Sequence, residues 1–170
     1  MDNTFKVLIN QLILLEETTD SDQGVLFMIK EHLKLYLNNY TIREAIKECN
    51  SKNNWDHPIY GHISKWKTVR VTNMNNLFRD LKEFNEPIGD WDTKNVTDMS
   101  YMFRFAHKFN QSIGNWNTSK VTNMEEMFGY AHQFNQPLEL WDTCKVTNME
   151  SMFADTYKFN QHIGNWDTSN

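Results

Sequence analysis

The sequence predicts an α/β repeat solenoid preceded by an all-α N-terminal cap, and three observations carry that expectation. Tryptophan stands at Trp66, Trp91, Trp116, Trp141 and Trp166, a spacing of 25 residues each time. Around each tryptophan the same polar and apolar residues return in the same order, while residues 1–54 lack the period. A unit of 25 residues cannot bury its own apolar face, whereas stacked units form one continuous core in which each coil covers the last.

The chain opens with the cap, residues 1–54. Phe5, Leu8, Ile9, Leu12, Ile13 and Leu15 suit one amphipathic helix, residues 25–37 after Gly24 suit a second, and Thr41-Ile42-Arg43-Glu44 opens a third. Such a block covers the apolar face that a first coil would otherwise expose. The join lies between Trp55 and Trp66, where Ile63 and Trp66 already fit the repeat and Ile59-Tyr60 replaces its Phe-Asn pair. A degenerate first unit is usual in repeat arrays.

Residues 55–170 then hold about 4.5 coils. Val-Thr recurs at 71–72, 96–97, 121–122 and 146–147, and Met at 74, 99, 124 and 149. Leu77-Phe78, Met102-Phe103, Met127-Phe128 and Met152-Phe153 follow, then Phe-Asn at 84–85, 109–110, 134–135 and 159–160. Ile88-x-x-Trp91 is too short for a helix and reads as a parallel strand of about four residues. Apolar residues at 99, 102, 103 and 106 have helical spacing, so each coil is expected to hold one short strand and one short helix. Thr122 with Glu125 and Thr147 with Glu150 have the form of a capping box at the start of that helix.

VTNM followed by MF, then FNQ and IGNWDTS at a 25-residue period, resembles the BspA-type repeat. This is a leucine-rich-repeat-like module of bacterial surface proteins and mycoplasma-type lipoproteins, found also in protists and large DNA viruses. The resemblance covers residues 59–170, and TIREAIKECN with YGHISKW resembles the segment leading into such repeats. It implies a right-handed solenoid used for protein interaction or adhesion, with no enzymatic activity attached to the repeat.

Composition narrows the function classes. The formal charge of −5 divides into seven basic against nine acidic residues in 1–65 and ten against thirteen in 66–170, so neither half has the basic footprint of a nucleic-acid binder. Cys49 and Cys144 lack the spacing of a disulfide framework or a zinc site. The run VLINQLILL is broken by Asn10 and Gln11 and has no small-residue cleavage pattern after it, which favours an intracellular or virion-associated protein over a secreted one. Without 18 consecutive apolar residues, no membrane span is expected.

The recurring polar residues read as stacking parts. Asn85, Asn110, Asn135 and Asn160 form a ladder whose amides satisfy turn backbone along the stack, together with the tryptophan column. The threonines at 68, 93, 118, 143 and 168 read likewise as ties between turns. Met99 with Met102 and its equivalents fit core filling better than a soft-metal box, since Leu77 takes the same place. Asp92, Asn117, Asp142 and Asp167 suit Asx turns better than a calcium column. Gly89, Gly114 and Gly164 share a column with Glu139, so glycine there reads as convenience. His107 and His132 lie one period apart without a third metal ligand, and no nucleophile-base arrangement recurs, so no cofactor, metal or catalytic residue is expected.

Variation is concentrated at 79–83, 104–108, 129–133 and 154–158, which mix aromatic with charged residues. Arg79, Arg104, His107, Tyr130, His132 and Tyr157 are therefore the expected contacts for a protein partner or neighbouring subunit. The expected function is a non-enzymatic interaction or adhesion module. The alternative is a structural component of a virion or cell-surface coat, docked through the coil that the sequence leaves open at Asn170.

Overall fold

In a computed structural model of the chain, the structure describes residues 36–169. The first two helices expected in the cap lie outside the described residues, apart from Tyr36 and Leu37, which are not helical. The third is present as α1, Thr41–Lys52. Its start is fixed by Asn38, whose Oδ1 accepts from the N–H groups of Tyr40 and Thr41 while Thr41 Oγ1 accepts from the Asn38 N–H. It ends at Asn53 with a left-handed φ of 48°, a conformation asparagine tolerates well. Its buried face, Thr41, Ile42, Ala45, Ile46 and Cys49, joins the core. A two-residue antiparallel pair follows, β1 (Asp56–His57) with β2 (Gly61–His62), and then a 3-10 turn, Ile63–Lys65.

Beyond Trp66 the chain runs in 25-residue units, each bonded to the next. Parallel bridges join Asn73 to Asp98, Asp98 to Asn123 and Asn123 to Asn148. From there every second N–H crosses to the following unit. Met74, Asn76, Phe78 and Asp80 donate to the carbonyls of Asp98, Ser100, Met102 and Arg104, and the next two units repeat the pattern. The N–H groups in between close tight turns, with Leu77 donating to Met74, Arg79 to Asn76 and Leu81 to Phe78.

This arrangement differs from the strand and helix expected in each coil. The parallel pairing sits at the Asn/Asp column before each methionine, while near Ile88 the Trp91 N–H only closes a turn on the Ile88 carbonyl. The segment at 99–106 is a run of turns, because half of its N–H groups bond to the neighbouring unit and cannot form an internal helix ladder. Thr122 caps no helix, and its Oγ1 donates instead to the Thr97 carbonyl. The Glu125 N–H is taken by Asn123 Oδ1 in an Asx turn, as Asp98 and Asn148 take the N–H two residues on.

The core is built from columns of like residues. Phe78, Phe103, Phe128 and Phe153 stack at 5.5, 5.6 and 5.5 Å between ring centroids. Phe84, Phe109, Phe134 and Phe159 form a second column at 5.9, 5.8 and 6.0 Å. Met74, Met99, Met102, Met124 and Met127 are fully buried among them. At the start of the stack, Trp55 sets its ring edge-on against Phe84 at 4.8 Å, where a preceding unit's phenylalanine would lie.

Candidate functional site

The recurring tryptophans, asparagines and threonines tie one unit to the next, while the Asp/Asn column closes local turns. Trp91, Trp116, Trp141 and Trp166 donate Nε1–H to the carbonyls of Ile63, Ile88, Ile113 and Leu138, and Trp66 to that of Gly61. The Oδ1 atoms of Asn85, Asn110 and Asn135 accept from the N–H groups of Asn110, Asn135 and Asn160. Thr68, Thr93, Thr118 and Thr143 donate Oγ1–H to the carbonyl 24 residues on. Asp92, Asn117, Asp142 and Asp167 each accept from the N–H two residues ahead. Hydrogen bonds from the side chains of Cys144 and Ser169 hold the Asp142 and Asp167 carboxyls below the usual range.

Gly89 and Gly114 correct the expectation of convenience. A Cβ at Gly89 would stand 2.4 Å from the Ser112 carbonyl oxygen, and one at Gly114 2.6 Å from that of Pro137. Their backbone is not left-handed, so it is the close approach of the next unit that demands glycine.

The residues expected at a partner surface form a strip along one side of the stack. His107 and His132 lie with rings 4.5 Å apart and 16° from parallel, and His132 stacks on Tyr157 at 5.1 Å. Beside them Phe105 stacks on Tyr130 at 4.6 Å. Arg104 pairs with Glu126 and sits 4.6 Å over the Phe105 ring, while Arg79 is 5.8 Å from the Tyr101 ring. Tyr157 is 74% exposed and the other rings are half-buried, so the strip reaches solvent along its length. Phe105 and Tyr101 belong to the strip although the spacing argument did not name them. The signal was present, because Phe105 shares a column with Tyr130.

Charge in the strip is mixed. Burial first, then His132 and Lys82, hold the His107 imidazole below its ordinary value, with Glu83 opposing. Hydrogen bonds to Glu125 and Asp155 push the Tyr101 and Tyr157 phenols up. Among the described residues no group of three or more His, Cys, Asp or Glu could hold a metal ion, and no helix is long and apolar enough to cross a membrane.

No curated protein and no solved structure matches the chain. One family profile does, over residues 41–166, a span that takes in α1 and the whole run of 25-residue units up to the last tryptophan. The chain therefore belongs to the DUF285 family, described as mycoplasma proteins of unknown function.

Proposed function

We propose that the chain is a non-enzymatic interaction module, a solenoid of 25-residue coils that offers Phe105, His107, Tyr130, His132 and Tyr157, flanked by Arg79 and Arg104, to a protein partner. The strip is favoured by backbone strain. Asp80, Phe105, Tyr130 and Asp155 share a column, with left-handed φ angles of 63°, 62°, 60° and 53°. Aspartate visits that region readily, whereas a bulky ring there costs roughly 1–2 kcal/mol. The units of Asp80 and Asp155 meet the demand of the turn without a ring. The rings at 105 and 130 are thus strained for the sake of what they present outward, and aromatic and arginine side chains are the types that dominate interface energies. The recurring polar residues are engaged by neighbouring units or by their own turns, which supports a module that binds rather than one that catalyses.

A photo-crosslinking aromatic amino acid placed at Tyr130 of the full chain, in its native source, tests this reading. A discrete cross-linked protein is expected, and Phe105→Asp should abolish it while leaving the melting temperature unchanged or raised. Cross-links that persist in the Phe105→Asp chain would refute the strip as the contact surface.

A further inference from the structure

A second surface, which shares Arg79 with the aromatic strip, lies where α1 meets the first unit. The hydrogen-bond ladder has a direction, and the first unit's carbonyls face a place where a preceding unit would supply N–H donors. In later units those carbonyls are filled. Ser100 accepts from Asn76, Met102 from Phe78 and Arg104 from Asp80. In the first unit two polar side chains of the cap stand in. Arg43 donates Nη1–H to the Asn75 carbonyl at 2.9 Å and Nη2–H to Asn73 Oδ1 at 2.7 Å and to the Asn73 carbonyl at 3.4 Å. Asn39 replaces an acceptor instead, its Oδ1 taking the N–H groups of Thr72 and Asn73 as the Thr72 carbonyl takes that of Thr97.

The substitution stops there. The carbonyls of Leu77 and Arg79 continue the register, and no donor among the described residues reaches either one. They border a groove of about 420 Å³ between α1 and the first unit, with Ile46, Leu77 and Leu81 as its apolar part and Arg43, Lys47 and Arg79 as its charges. No carboxylate among the described residues lines it. Arg43 is occupied by the ladder and Arg79 lies against Asp80 and Asn76, but exposed Lys47 has no ion pair among the described residues.

We propose that this groove binds an acidic peptide of a partner protein, whose alternate N–H groups complete the ladder at Leu77 and Arg79 and whose carboxylates meet Lys47 and Arg79. Two carbonyls two residues apart in sequence call for every second N–H of the occupant, as the Met102 and Arg104 carbonyls take those of Phe78 and Asp80. Adding a segment to an open backbone edge in this way draws affinity from the main chain and specificity from alternate side chains. A neutral or basic peptide would lack the second part.

The test is fluorescence anisotropy of the full chain with a capped, labelled peptide of alternating aspartate and valine. Binding is expected, with an affinity reduced about tenfold by Lys47→Glu. N-methylation of alternate residues should abolish binding in one register and spare it in the other, because only one set of N–H groups faces the ladder. Equal binding of a lysine-valine peptide, or indifference to N-methylation in both registers, overturns the proposal. So does binding that appears only after Glu16, Glu17, Asp20 and Asp22 are made neutral, since the chain's own acidic run would then be the occupant.

Discussion

The inner phenylalanine columns and the outer strip obey the same period and solve it differently. Inside, Phe78, Phe103, Phe128 and Phe153 keep one residue type through four units. Outside, the column of Lys82, His107, His132 and Tyr157 changes type and still brings its rings to within 4.5 and 5.1 Å. The period makes neighbours of equivalent residues in both places. Burial decides whether they must be alike, because a close-packed interior accepts few volumes and a surface accepts many.

The sharpest test of that contrast is Phe103→Ala. Phe103 is fully buried between Phe78 and Phe128 and 3.8 Å from the centroid of Phe109, so its truncation should cost about 3–5 kcal/mol in denaturant unfolding. A loss below about 1 kcal/mol would make the interior as tolerant as the strip and break the comparison. Gly114→Ala should come next, at about 1–3 kcal/mol, because its Cβ runs into the Pro137 carbonyl. Asn110→Ala should cost about 1 kcal/mol although the residue is exposed, since Asn135 N–H and Gln136 Nε2 both lose their acceptor.

The smallest effect belongs to His107, which faces His132, Lys82 and Glu83. Its depressed value means that the unfolded chain binds the proton more readily than the folded one, so stability is present above the ordinary histidine value of about 6.5 and declines as the pH falls below it. His107→Gln should flatten the melting temperature between roughly pH 5 and 6.5. An unchanged slope would remove the strip from the pH response.

The period itself was legible in the sequence, and with it the residue columns, because repetition reports which positions become neighbours. The local path of each unit was not. Apolar residues at 99, 102, 103 and 106 satisfy a helix and a run of turns equally well, and only the partners of the N–H groups distinguish the two. Those partners lie in another unit, which a local window cannot see. Left-handed φ at Tyr101, Phe105, Glu126 and Tyr130 was hidden for a related reason, since none of these residue types advertises it. Arg43 was unremarkable as one cation on a helix until the carbonyls of Asn73 and Asn75 gave it a role.

The direction of the crossing bonds has a mechanical consequence. Each interface between units holds its bonds side by side across the stack, so a load applied along the stack bears on all the bonds of one interface together, while successive interfaces bear it in turn. Pulled from its ends, the folded stack should therefore yield one coil at a time. Each release would add about 85 Å of chain, the contour of 25 residues at ~3.4 Å each, making the array a tether that lengthens in equal steps.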